Sequence, residues 1–220
     1  MNPLLARLAC SLAVVAAIAA APTVQAQGTN AGKPMHIVVT FTPGGAPDIL
    51  ARLIGDELSV DWNQSVLIDN KPGAGGNTGA DSVAKAPPDG LTVVVGTVGT
   101  HAINGALYAK MPYDMVKDFA PVTLLATTPN LLVVNNDVPA KSVAELLALA
   151  KAQPGKLSYA SPGVGTPQHI AGELLKSLAG VDIVHVPYRG AVITDVIGGR
   201  VTMTMQNMGV ILPVVREGKL

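Results

Sequence analysis

The sequence predicts an α/β protein built on open, largely parallel sheets, and three observations carry that prediction. Short apolar, β-branched runs alternate with stretches of helical apolar spacing, so strand, loop and helix follow one another three times before residue 110. Leu91 to Thr97 is an unbroken Val-rich run, the pattern of a strand buried on both faces of a parallel sheet. Three of the loops leading from strand to helix, Thr42–Asp48, Thr97–His101 and Ser161–His169, are rich in Gly, Pro, Ser and Thr and carry no Lys or Arg. With 220 residues, 49% of them hydrophobic, the chain can bury a real core in one or two domains.

Residues 1–26 read as an export signal rather than as part of the fold. Arg7 supplies a minimal positive start, Leu8 to Ala21 the apolar core, and Val24-Gln25-Ala26 a small residue at the cut. The apolar run is short for a membrane span, and no basic cluster follows it. Cys10 precedes most of that run and is expected to leave with it. The exported chain then has no cysteine for disulfide or thiol chemistry.

His36 to Phe41 is the first expected strand. Thr42-Pro43-Gly44-Gly45-Ala46-Pro47-Asp48 turns it into a helix with Ile49, Leu50, Leu53, Ile54 and Leu58 on one face. Gly44 and Gly45 expose bare amides, Pro47 suits a first helical turn, and Asp48 suits a cap for the orphan N–H groups. Val66 to Asn70 is the second strand, followed by Lys71-Pro72-Gly73-Ala74-Gly75-Gly76 and a weak helix from Asn77 to Lys85. Pro87-Pro88-Asp89-Gly90 is a turn by composition. The third strand then leads through Gly96-Thr97-Val98-Gly99-Thr100-His101 into a short helix ending at Leu107.

Around Phe119 the texture changes. Val122 to Thr127 and Leu131 to Asn135 are read as two strands broken by Thr128-Pro129, with the crossing between domains there. Ser142-Val143-Ala144-Glu145 is a capping box, opening a helix expected to bury Val143, Leu146, Leu147 and Ala150. A short strand from Leu157 to Ala160 feeds Ser161-Pro162-Gly163-Val164-Gly165-Thr166-Pro167 and a helix carrying Ile170, Leu174, Leu175 and Leu178. Val181 to Val186 is a strand ending at Pro187-Tyr188-Arg189-Gly190. A helix from about Ala191 to Ile197, a Gly198-Gly199 turn and a strand from Val201 to Met205 complete the reading.

The formal charge is zero, which removes the electrostatic footprint of a nucleic-acid or anionic-membrane binder. One Trp, four Tyr and two Phe leave little surface for stacking sugars or bases. The loops Thr42–Asp48, Thr97–His101 and Ser161–His169 each follow a strand and precede a helix. In an open sheet all would lie at the carboxyl edge, where ligands bind. Such loops also simply turn corners. Three together, without a basic side chain, favour recognition of a carboxylate by neutral donors at helix N-termini. Each amide-to-carboxylate bond is worth roughly 1.5–3 kcal/mol, so four or five could reach about micromolar affinity.

Asp48 would repel a carboxylate if it faced the pocket. It is read as folding back onto the helix, with acceptance of an ammonium group as the alternative. Gly73 to Gly79 resembles a dinucleotide fingerprint, but Thr78 stands where glycine is needed and no acidic residue follows about 20 residues on. His36, His101, His169 and His185 are scattered, without metal-ligand spacing. His36 and His185 read as satisfied strand residues, while His101 and His169 start helices beside the loops. Ser161 lacks a nucleophile elbow, so a hydrolase using Ser161 with His169 is a weak reading. Tyr188-Arg189-Gly190 and Asn207 are further candidate cleft residues, with surface packing and an ordinary turn as their alternatives.

With these loops in hand the sequence resembles the Bug family, also called TctC: periplasmic receptors of tripartite tricarboxylate transporters. The resemblance runs from about Lys33 to Leu220. It rests on Phe41–Asp48, Asn70–Asn77, Pro87–Gly90, Gly96–His101, Pro112-Tyr113-Asp114 with Lys117–Pro121, Pro139–Leu146 and Val184–Gly190. It implies a type II periplasmic binding protein, or Venus flytrap, with α/β domains at 33–127 and 128–220. It also implies binding of a dicarboxylate, tricarboxylate or related organic acid, with no catalysis, cofactor or metal. The implied contacts are Thr42, Pro43, Gly44, Gly45, Ala46, Pro47 and Asp48 from the first domain and Ser161, Gly163, Gly165, Thr166 and His169 from the second. Thr100, His101, Tyr188, Arg189, Gly190 and Asn207 line the cleft. Pro47 stands where many relatives carry a hydroxyl.

The implied partners are integral membrane transporter subunits, not nucleic acid, and the receptor is expected to be a periplasmic monomer. Relatives run roughly a third longer, and their terminal segment returns to complete the first domain. That return is expected to be missing here, with the second domain also cut short. The stretch from Gly190 to Asp195 is about two residues shorter than usual. Alternatives are a ligand-loaded sensor for a membrane signalling partner and a non-functional truncated copy.

Overall fold

A computed structural model of the chain describes residues 32–190 and 192–220. The export signal, its cut after Ala26 and the helix start at Ala191 lie outside those residues. The first sheet orders its strands β2-β1-β3, with β1 at Met35–Val39, β2 at Val66–Asn70 and β3 at Thr92–Val95, all parallel. Helix α1 spans Ala46–Asp61, α2 Asn77–Ala84 and α3 Asn104–Leu107, the last preceded by one wider turn at Gly99–Ile103. The second sheet orders β4 (Asn130–Val134), β7 (Met203–Asn207), β5 (Ser158–Ser161) and β6 (Val184–Pro187). Pairs β5–β6 and β5–β7 are parallel and β4–β7 is antiparallel. Helices α4 (Val143–Ala152), α5 (Pro167–Ala179), α6 (Val192–Ile197) and α7 (Met208–Arg216) belong to this half.

Central strand β1 alternates little because both its faces are covered, and Ile37, Val38 and Val39 are all buried. Strand β3 lies at the edge of its sheet, so the Val run expected to be buried on both faces is only half-buried. Helix α1 is rotated from its expected face. Ile49 is 43% and Leu53 60% exposed, while Ala51 and Gly55 are buried. Small residues let the helix close on the sheet: a Cβ on Gly55 would lie 3.0 Å from Ile68 Cδ1 and 3.3 Å from Val66 Cγ1.

The same substitution of small for large corrects α5. Leu174 and Leu178 face outward, and Gly172 lies flat against the ring of Tyr159, where any Cβ would overlap it. Tyr159, Ile183, Met203, Leu146 and Ala150 form the core beneath that helix. In α4 the cap is as expected, with Ser142 Oγ accepting from Glu145 N at 3.2 Å. The Glu145 carboxylate reaches back to Lys141 N at 2.7 Å, one residue beyond the cap. Val143 is exposed rather than buried, because it begins the helix beyond the edge of the core.

Residues 122–127 form no strand. Val122 and Leu124 are 86% and 77% exposed, and no strand among the described residues lies beside them to complete a ladder. The last strand runs two residues later than expected, which puts Asn207 at its end rather than past it. Helix α7 follows the strand without a gap, over a segment to which the apolar spacing assigns no element.

Candidate functional site

Strand β1 delivers the loop Thr42–Gly45 to the N-terminus of α1, with Gly44 at φ +82° making the turn. Gly45 is the helix cap and Pro47 lies in the first turn, where a missing N–H is harmless. Asp48 folds back onto the loop, but from the third helical position rather than the cap itself. It is 3% exposed and accepts from Gly44 N at 2.9 Å, Asn70 Nδ2 at 2.9 Å and Arg52 Nη2 at 3.0 Å. Arg52 Nε adds a second guanidinium bond at 3.1 Å. Burial pushes this carboxyl up, but the bonds from Arg52, Gly44 and Asn70 outweigh it and hold its pKa below the ordinary value. An ammonium ligand would therefore find both oxygens taken. The N–H groups of Gly45 and Ala46 have no acceptor among the described residues, as helix geometry requires of the first positions.

Thr100 is fully buried and works inside its own turn. Its Oγ1 accepts from Thr97 N at 2.9 Å and lies 2.8 Å from His101 Nδ1. The His101 ring packs edge-on against Phe119 at 4.7 Å, and burial lowers its pKa. These contacts seat Thr100 and His101 in packing rather than in open space.

The loop Ser161–Thr166 is similarly self-contained. Gly163 N donates to Ser161 Oγ at 3.2 Å, Gly165 N to His169 Nδ1 at 3.3 Å and Thr166 N to the Gly163 carbonyl at 3.3 Å. Three of the amides expected to grip a ligand thus have acceptors within the protein. Ser161 Oγ bonds His185 Nε2 at 2.7 Å, so its partner is His185 and not His169. His185 stacks on Tyr159 at 4.7 Å and lies against His169 at 4.4 Å, and burial drives its pKa down to about 4. Ser161 is fully buried and held by His185, so the weak hydrolase reading, which needed an accessible Ser161 paired with His169, finds no support in the geometry.

Tyr188 donates its hydroxyl to Asp195 Oδ2 at 2.8 Å, and Arg200 Nη1 holds the other Asp195 oxygen at 2.6 Å. Arg189 is exposed. Asn207 Oδ1 accepts from Gln168 Nε2 at 3.0 Å, a buried residue outside the expected set.

The two sets of loops meet. A Cβ on Gly190 would lie 3.7 Å from Thr42 Cγ2, and one on Gly99 would lie 2.8 Å from the Gly165 carbonyl. Between these contacts stands Gly75, at φ +63°, where a Cβ would overlap the Val164 carbonyl. The glycine-rich turn set aside as a failed dinucleotide fingerprint therefore forms part of the junction. Asn104 and Tyr108 also reach it. Asn104 Nδ2 donates to Asn77 Oδ1 at 2.6 Å and Gly75 O at 3.2 Å, while its buried Oδ1, beside Gly165, has no hydrogen-bond partner among the described residues. Glycine spacing was the available signal for Gly75. Nothing local marked Asn104 or Tyr108. Tyr108 also lines an open depression of about 360 Å³ with Ala74, Asn77, Thr78, Asp81, Lys110 and Pro112.

The family model for the tripartite tricarboxylate transporter family receptor (TctC) matches residues 50–220. A protein of Pseudomonas sp. (strain P51), described as a UPF0065 protein in the tcbD-tcbE intergenic region, is 42% identical over 89% of this chain and 60% of its own length. The structure of R. palustris Rpa4515 with adipate superposes with a TM-score of 0.82 at 42% identity, over 85% of this chain and 64% of that one. MatC (Rpa3494) from Rhodopseudomonas palustris with bound malate superposes at 0.80 and 36% identity, over 84% of this chain and 64% of that one. The chain spans about 60% of the length of the first curated relatives it matches.

Proposed function

The chain belongs to the TctC family of tripartite tricarboxylate transporter receptors, the Bug proteins, and from that membership we propose that it captures a small carboxylate between its two sheets. The ligand is a dicarboxylate or related organic acid, the class named for the adipate-bound and malate-bound neighbours. Binding takes place in the periplasm, reached through the signal read in residues 1–26, and the loaded monomer meets integral membrane transporter subunits. The receptor does no chemistry on the acid.

One observation carries this reading: the carboxyl-edge loops of two separate sheets converge, and the loop that Gly190 meets at Thr42 carries the helix-terminal amides of Gly45 and Ala46, which have no acceptor among the described residues. The donor set differs from three equivalent loops. Gly163, Gly165 and Thr166 shape the wall, since their N–H groups are bonded within it. The anion is held by Gly45 and Ala46 N–H, the Thr42 hydroxyl and the exposed Arg189 guanidinium, for which no partner lies among the described residues.

Isothermal titration of the chain with adipate, malate and citrate tests this. Binding of at least one acid in the micromolar range is expected, weakened roughly tenfold by Thr42→Val, about one lost hydrogen bond to a charged group. Absence of heat with all three acids would refute the reading.

A further inference from the structure

We infer that Tyr108 is a positioning residue for ligand capture, latching the two halves together through its hydroxyl. Tyr108 OH donates to the Val164 carbonyl at 3.2 Å across 56 residues of sequence. Among the described residues this is the one hydrogen bond joining 32–127 to 128–220. The receiving carbonyl belongs to a loop that its own half holds firmly. Gly163 N is tied to Ser161, Gly165 N to His169, and Thr166 Oγ1 donates to the Gly163 carbonyl at 2.7 Å. Val164 is 41% exposed, and what it presents across the junction is its main-chain carbonyl, which lies against Gly75 and accepts from Tyr108.

The surroundings suit such a latch. Gly75 and Gly165 have no side chain, which lets the Val164 segment close on the first half, and a Cβ on Gly165 would lie 3.6 Å from Tyr108 Cε2. The tyrosine ring thus packs on the moving loop while its hydroxyl caps the Val164 oxygen. When the halves part, that oxygen and the hydroxyl return to water. The bond therefore favours closure modestly, as an exchange of partners should. A closure bond that forms after the ligand enters slows departure and leaves entry unchanged.

The role in capture rests on the receptor reading, whereas the latch itself does not, and the test separates them. Spin labels at Glu57→Cys and Lys151→Cys, in a full chain carrying Cys10→Ser, report the separation of the halves without ligand. Tyr108→Phe keeps the ring and is expected to lower the closed-to-open ratio roughly three- to tenfold, the range of one net hydrogen bond. Gly75→Ala should open the halves by wedging against the Val164 carbonyl. With adipate or malate as probe, Tyr108→Phe should raise the off-rate by the same factor and leave the on-rate unchanged. Unaltered distances and off-rate in Tyr108→Phe, with a wild-type melting curve, would overturn the latch and leave the receptor reading intact. Opening in Tyr108→Phe while the unmutated chain binds neither acid would support the latch and count against the receptor.

Discussion

Asp48 shows how one residue can look like a ligand contact and serve the scaffold instead. Its position beside the first glycine loop suggested either a cap or an ammonium acceptor. Burial at 3% exposure, with bonds from Gly44, Arg52 and Asn70, makes it the post to which loop, helix and β2 are tied. Asp48→Asn keeps the shape and removes the charge, and is expected to cost about 2–3 kcal/mol in chemical denaturation, the worth of a charge-assisted bond. The sign with pH follows from the lowered carboxyl pKa. The charged form adds stability above the ordinary value of 3.8, and that contribution fades as pH falls through the depressed folded value. Wild type and Asp48→Asn should therefore converge in stability at strongly acidic pH. A constant gap down to that pH would assign the loss to shape rather than charge.

The segment from β5 through α5, with β6 beside it, behaves as one element. Ser161 and His169 bind the loop amides, His185 binds Ser161, and Tyr159 lies beneath, donating to Glu173 Oε1 at 2.7 Å. His169 Nδ1 accepts an N–H and so must be unprotonated in this arrangement. Facing the two rings are Tyr159 from β5, and Glu173 and Lys176 from α5, with Glu173 and Lys176 paired at 2.9 Å. Burial lowers the His185 pKa from 6.5 to about 4, so between those values the unfolded chain binds a proton that the folded chain does not. Stability is complete above pH 6.5 and falls as pH drops toward about 4. A loss of roughly 1–3 kcal/mol across that window is expected in thermal or urea melts. His185→Gln should flatten the slope, and an unchanged slope in that variant would remove His185 as its source.

At the scale of the whole molecule, two sheets are joined by residues 120–129, all exposed and without regular structure. Exposed backbone of this kind is where proteases enter first. Limited digestion with chymotrypsin is expected to cut at Leu124 or Leu125 before any site in β1 or β5, as mass spectrometry of the fragments would show. Protection of that bond would mean that another surface covers Val122 and Leu124. The two halves meet at Gly75, Gly99, Val164 and Gly165, where the side chains of Asn104 and Tyr108 also reach, with one hydrogen bond between them among the described residues.

The alternation of β-branched runs with helical spacing made most strands legible, and β2 falls where the sequence placed it, because those signals are local to each segment. The glycine loops and the family resemblance were legible for the same reason, since a tight turn needs its own residues to be small. Helix faces were misjudged where Ala51, Gly55 and Gly172 replaced large residues at the contact, for a small residue signals close packing only once its neighbour is known. The strand expected at 122–127 had the right composition but no partner strand beside it among the described residues. By itself the sequence determined the α/β class, the loops and the family, all properties of chemistry near in the chain. Only the tertiary structure decided which amides stay unclaimed, that Ser161 pairs with His185, and that Tyr108 reaches Val164. Each of those depends on the distance between residues far apart in sequence.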